Sequence, residues 1–311
     1  MKSAAVTVLI LSLLSGIANA QTIKIKRQCG GYLVSEGSKK VLFYQSAPKS
    51  LNGTFRRANY VHPLFDLDGN VVSEDFPEDH PHHRGIFWGW HQLWIGDQKI
   101  GNSWSTKDSV WDVQKVQRIR FNDRSVGLKS HILWKSPDWK DPVGRLKPVV
   151  SENTTIRVYP SDQESRKIDF EIRLTARENN MRIGGADNSK GYGGFSVRLH
   201  LPNPVQFQSR LGPVAPQRTS VEAGPWINVP DSLANNTGGF AILSHPSLPG
   251  FPHRWILRSH RGMQNPVYPG QIPVPLSPDE PLVLRYRLVI YRGQIDVQQA
   301  EVWQSEYEES S

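Results

Sequence analysis

The segment 282–291 constrains the fold more than any other. Leu282, Leu284, Tyr286, Leu288 and Ile290 alternate with Val283, Arg285, Arg287, Val289 and Tyr291. A period of two sends successive side chains to opposite faces of a strand; a helix would scatter them around its axis. Ile168, Phe170, Ile172, Leu174 and Ala176 alternate in the same way with Asp169, Glu171, Arg173 and Thr175. So do Phe195, Val197, Leu199 and Leu201 with Ser196, Arg198 and His200. Shorter apolar runs predict further strands at 32–36, 41–45, 126–134, 154–159, 240–245 and 255–259. Asp68-Gly69-Asn70, Ser136-Pro137-Asp138 and Ser247-Leu248-Pro249-Gly250 read as the turns between them.

Many antiparallel strands joined by Gly/Pro turns predict an all-β fold, a large antiparallel β-sandwich, as one domain over residues 21–311. Large residues on both faces of 282–291 predict that loops cover part of its second face. One helix is expected near the C-terminus. Asp296 can cap it, and Ala300, Trp303 and Tyr307 share one face at helical spacing. Its expected place is the sandwich edge.

Residues 1–20 have the form of a secretory leader. Lys2 supplies the positive start, the run to Leu14 is apolar apart from Thr7 and Ser12, and Ala18-Asn19-Ala20 is a cleavage site. The apolar run is short for a membrane span, and no later stretch is longer. The expectation is an exported protein, periplasmic or extracellular, beginning at Gln21 and without a membrane span. The single cysteine, Cys29, excludes an internal disulfide. A core of this size needs none. The net charge of +8 is spread along the chain without a basic stripe, which argues against a nucleic-acid partner.

The chemistry is concentrated in Asp79-His80-Pro81-His82-His83-Arg84-Gly85 and the following Ile86-Phe87-Trp88-Gly89-Trp90-His91-Gln92-Leu93-Trp94. Histidine titrates near neutral pH and binds metals; aromatic rings wall small-molecule pockets. Pro81 restricts His80 to extended backbone, and an extended chain points His80 and His82 to one side and His83 to the other. His80 and His82 could then hold one divalent metal ion, with Glu78, Asp79, His91 or Glu152 as a third ligand. Alternatively, a histidine of the cluster acts as acid or base once a carboxylate orients its ring. Arg84 suits a carboxylate or a developing oxyanion, and Gly85 permits close backbone approach.

Elsewhere, Glu152 is a candidate acid, base or ligand. Lys190, in Lys190-Gly191-Tyr192-Gly193-Gly194, and Arg198 and His200 on one strand face are candidate substrate-binding residues. His245 and His253 repeat the His/Pro/Trp theme, and Trp88, Trp90, His91 and Trp94 could face the substrate. Asp66-Leu67-Asp68-Gly69-Asn70 has the start of a calcium loop without its remainder, and reads as a hairpin turn. The chain has no Gly-x-Ser-x-Gly elbow, and Cys29 stands in no nucleophile signature, which removes Ser and Cys hydrolases.

The string from His80 to Gly85, with Trp88-Gly89-Trp90-His91 after it, resembles the signature of the PmoA-like exported protein family. The resemblance continues through Ser151-Glu152-Asn153-Thr154-Thr155-Ile156, Asp169-Phe170, residues 190–198, His245-Pro246 and Leu284-Arg285-Tyr286-Arg287-Leu288. It implies a large sandwich like that of the galactose mutarotase superfamily, and a setting among sugar-degrading and sugar-oxidising proteins. A membrane methane-oxidising subunit, a label that part of the family carries, would need spanning helices. Three readings follow. One is an exported isomerase, lyase or hydrolase acting on sugars or oxidised sugars, with a small-molecule or oligosaccharide substrate. In it His80, His82 and His83 with Glu152 transfer protons, Arg84 steadies negative charge and the tryptophans stack on the ring. The others are a non-catalytic glycan-binding module and a histidine-liganded copper redox protein.

Overall fold

The strand Leu282–Arg292 lies in the middle of a nine-stranded antiparallel sheet. The computed structural model describes residues 22–162, 164–233, 237–259 and 262–310. The expected leader and its cleavage site lie outside them. In spatial order the nine strands are Val110–Arg120, Val126–Lys140, Leu146–Val158, Ser165–Ala176, Leu282–Arg292, Gly238–Ser244, Trp226–Val229, Phe207–Ser209 and Gly212–Val214. A second sheet has eight: Ile23–Gln28, Gly31–Glu36, Lys39–Gln45, Tyr60–Leu64, Ile86–Gly89, Gly194–Val197, Gln264–Pro266 and Trp255–Leu257. The fold is an all-β sandwich of antiparallel sheets. A four-stranded sheet that contains Gln92–Ile95 and a two-stranded one that contains Thr54–Arg57 flank it.

Alternation explains how the two large sheets meet. Leu284, Tyr286, Leu288 and Ile290 point inward and join one continuous buried cluster. Across the gap Phe195 stacks on Tyr286 with ring centroids 4.5 Å apart, and Trp90 meets Trp134 at 5.6 Å. The other face of the strand is covered too, but not by loops. Val289 and Tyr291 pack with Trp226, Ala241 and Leu243 against Ala300, Trp303 and Tyr307 of the helix Val297–Glu308. The helix therefore lies over the outward face of the sheet and not at its edge. Three neighbouring strands present apolar residues there, and an amphipathic helix is what buries them.

Asp296 caps that helix. Its backbone is extended, and its side chain accepts a hydrogen bond from Gln299 N at 2.8 Å. Asp296→Ala is expected to cost about 1 kcal/mol, read as a lower urea midpoint with an unchanged slope.

Two expected turns differ in outcome. At Asp68-Gly69-Asn70 the hairpin forms. Asp66 Oδ1 accepts from Asp68 N at 2.9 Å and Asn70 N at 2.8 Å, and Gly69 takes φ +92°. At Ser136-Pro137-Asp138 there is no turn, because Val126–Lys140 runs through it. Pro137 has no N–H to offer, and the pairing with Leu146–Val158 is irregular between Lys135 and Lys140. The chain reverses after Asp141 instead, whose Oδ1 accepts from Val143 N and Arg145 N. Among the described residues no helix is long and apolar enough to cross a membrane.

Candidate active-site cleft

The histidine string is folded into tight turns. His80 N donates to Pro77 O at 3.1 Å, and His83 N donates to His80 O at 2.8 Å. Pro81 is the second residue of the latter turn, a position its fixed φ favours. This corrects the expectation of an extended chain with His83 facing away from its neighbours. The turn gathers all three rings: centroids lie 4.9 Å apart for His80 and His83, 4.6 Å for His82 and His83, and 5.8 Å for His80 and His82. Gly85 then feeds the strand Ile86–Gly89 at φ +58°, where a Cβ would sit 2.2 Å from Val61 O, so no larger residue fits without backbone movement.

Strand parity decides what faces the cleft. Trp88 points into the sandwich interior, as Ile86 does, and Phe87 points outward, under His83 and Trp104. On the neighbouring strand Phe195 and Val197 are inward, and Arg198, just past its end, reaches the histidines. An open cleft of about 510 Å³ lies over this outward face. Of the residues expected from sequence it brings together His80, His82, His83, His91, Lys190 and Arg198. Trp104, Tyr192, Arg218, Arg258 and Met263 complete much of the lining. His91, Trp104 and Tyr192 form one wall, with Trp104 stacked on His91 at 5.3 Å and edge-on to Tyr192 at 5.0 Å.

The remaining expected residues lie elsewhere, for physical reasons. Trp88 and Trp90 are core residues whose indole N–H groups donate to Glu152 and to Tyr268 O. Trp94 sits beside Lys99 and Arg182 on the flanking sheet. Arg84 is fully buried: its Nε donates to Asp75 at 2.5 Å, its Nη1 to Phe55 O at 2.8 Å, and its Nη2 to the Tyr60 hydroxyl. It anchors the segment before the strand and has no free edge for an oxyanion. His200 is exposed and pairs with Glu74. His245 lies against Tyr307 on the far sheet, and His253 is buried with Nε2 at 2.7 Å from Pro249 O.

Glu152 is not among the histidines either. It is buried between the sheets, where Oε1 accepts from Asn59 Nδ2 (2.7 Å), Trp88 Nε1 (2.9 Å) and Thr154 Oγ1 (2.5 Å), and Oε2 from Trp134 Nε1 (2.7 Å). Burial pushes its carboxyl up, and these donors act against that push.

Around the histidines one guanidinium organises the charges. Arg198 Nη2 donates to Asp79 Oδ1 at 2.7 Å, its Nε donates to Glu74, and its Nη1 lies 3.3 Å from His83 Nδ1. A guanidinium can only donate, so His83 Nδ1 accepts and the ring proton sits on Nε2. Asp79 Oδ2 lies 2.8 Å from His80 Nδ1. There the carboxylate accepts and Nδ1 donates, which leaves Nε2 as the ring nitrogen that does not face Asp79. Partial burial pushes Asp79 up, but the hydrogen bonds from His80 and Arg198 outweigh it, and its carboxyl stays below the usual range.

The other rings are held neutral. Burial, then the repulsion that a protonated ring would meet from its neighbours, including Arg57 and Arg198, takes His82 down to about 4. Burial, then the same kind of repulsion, in which Lys99 shares, takes His91 to about 4, and burial with repulsion from the cluster and Arg198 pushes His83 well below its ordinary value. A histidine in the unfolded chain titrates near 6.5, so unfolding takes up protons below that pH. The stabilising effect is complete above pH 6.5 and is lost as the pH falls towards 4. Urea midpoints are expected to drop between pH 7 and pH 4.5, and His83→Gln to flatten that drop. A midpoint that is level across the window in the unmodified protein would contradict the assignment.

Among the described residues no group of three His, Cys, Asp or Glu side chains is arranged to hold a metal ion. Asp79 is committed to His80 and Arg198, and His83 Nδ1 to Arg198, which leaves His80 and His82 without a third donor of those types in reach.

No curated protein matches the chain. A family model matches residues 32–304, which takes in both large sheets apart from the first strand and every element that builds the cleft. The protein therefore belongs to DUF6807, a family of unknown function.

Proposed function

We propose that the cleft is the active site of a carbohydrate-active enzyme that moves a proton between a sugar and His80. The observation that carries this reading is the Asp79–His80 pair beside the neutral His83. A carboxylate 2.8 Å from Nδ1 fixes the His80 ring with Nε2 as base. His83 presents an Nε2–H that has no protein hydrogen bond among the described residues. A neutral imidazole donor polarises a carbonyl without drawing the base's charge to itself. Base and neutral donor on one turn suit proton abstraction beside a carbonyl, as in an isomerase or a lyase. A hydrolase of the common glycosidase type works with two carboxyl groups flanking the bond, and no Asp or Glu lines this cleft among the described residues. Tyr192 offers an apolar face to a sugar ring, with the buried Trp104 behind it. The leader expected over residues 1–20 supports action outside the cytoplasm.

The test is proton exchange. The full chain would be incubated in D₂O with a panel of aldoses, ketoses and sugar acids and followed by ¹H NMR. Loss of a C–H signal beside a carbonyl or carboxyl group, absent with His80→Gln, is the expected result. Saturable sugar binding without exchange, undisturbed by His80→Gln, would make the protein a glycan-binding module.

A further inference from the structure

We infer that the cleft selects a sugar carrying a carboxylate, which Arg218 and Arg258 hold. The inference rests on the reading of the cleft as a sugar site. Its starting point is a contrast with the arginines that this chain pairs with acids, although others, such as Arg57 and Arg182, meet backbone carbonyls instead. Arg84 is paired with Asp75, Arg198 with Glu74 and Asp79, Arg166 with Glu36 and Arg287 with Asp169. Arg254, exposed just before the strand Trp255–Leu257, meets Glu222 at 2.8 Å. Arg218 and Arg258 have no carboxylate partner among the described residues, and they line the same cleft.

They are held there together. Gln217 N donates to Leu257 O at 2.9 Å, which ties the segment carrying Arg218 to the strand Trp255–Leu257. Arg258 Nη1 donates to Gln217 O at 3.1 Å, and its backbone N donates to Gln264 Oε1 at 2.9 Å. Partial burial lowers the Arg258 guanidinium below its ordinary range, and the charge of Arg218 lowers it further, so the two lie within each other's field. Like charges held close without an acid between them cost free energy that an anion would recover. Lys190 adds a third cation to the lining.

The form of the anion follows from the donors. Guanidinium forks match the two in-plane oxygens of a carboxylate bidentately. The cleft volume is in the range that takes one sugar or a short oligosaccharide. A carboxylate neutralised by two arginines also acidifies the C–H beside it, which is the proton that His80 would take.

The experiment is calorimetric titration of the full chain with glucuronate, galacturonate and mannuronate. Their neutral parent sugars and glucose 6-sulfate are the comparisons, at low and at 0.5 M salt. We expect a uronate to bind about 10- to 100-fold more tightly than its parent, with the preference shrinking in high salt. Arg258→Met or Arg218→Met should abolish the preference, Arg258→Lys should retain part of it, and Arg254→Met should leave it unchanged. Circular dichroism checks the fold of each variant. Equal binding of uronate and parent, preference for the sulfate ester, a preference that survives both methionine variants, or no binding of any of these sugars would overturn the inference. Arginine-dependent uronate binding without proton exchange would sustain it and sink the acid–base reading instead. Exchange on a neutral sugar would do the reverse.

Discussion

Glu152→Ala is expected to destabilise the protein by about 3–5 kcal/mol, the range for removing one partner from a buried charged network. In a domain of this size that is a fall in Tm on the order of 10 °C. The cost comes from what stays behind. Asn59 and Trp88 reach the carboxylate from one sheet, and Trp134 and Thr154 from the other. Alanine leaves these donors buried with no acceptor, and each orphan carries its own desolvation penalty. Glu152→Gln should fall between, because an amide has one acceptor oxygen and its NH₂ must then face a donor. Since Glu152 lies outside the cleft, Glu152→Gln should keep ligand binding. Thermal and urea unfolding of both variants, with binding measured beside them, decide the matter. An alanine variant within 1 kcal/mol of the unmodified protein would mean that the carboxylate does not tie the sheets.

His80→Gln is expected to slow proton exchange by about 10²–10⁴-fold, the usual contribution of a positioned acid or base. The fold should be intact, because the His80 side chain is half exposed. Asp79→Asn should move activity in the same direction. An amide N–H that faces Nδ1 favours the tautomer with its proton on Nε2, which removes the base without removing the ring. The pair of variants separates loss of the imidazole from loss of its orientation. Exchange rates within threefold of the unmodified protein in both would place the base elsewhere.

The fold was largely legible because its signal is periodic. The alternation at 168–176 and 282–290 appears as paired central strands, and Asp296, Ala300, Trp303 and Tyr307 take the places their spacing implies. The misread turn at Pro137 came from treating proline as a chain reversal where it only interrupts a ladder. The site was legible in position but not in geometry. Pro81 constrains the backbone of His80 but leaves His82 free to turn, and only the turn shows that three rings converge. The chemistry of the tryptophans suits a substrate, yet strand parity gives Phe87 and not Trp88 the outward face. Trp104, Arg218 and Arg258 come from loops far apart in the chain, and no local spacing marks a contact that only the folded sheet creates. Glu152 is a candidate acid or base because it stands just before an expected strand, but that strand begins at Leu146, and strand parity turns the carboxylate in between the sheets.

Arg198 ties the orientation of His80 to that of His83. It donates to the carboxylate that orients His80 and also to the ring of His83. A movement of Asp79 that turns the His80 ring also changes how Arg198 meets His83 Nδ1. Arg198→Lys would therefore loosen both rings at once although lysine keeps the charge, because an ammonium lacks the planar fork that reaches Asp79 and His83 together.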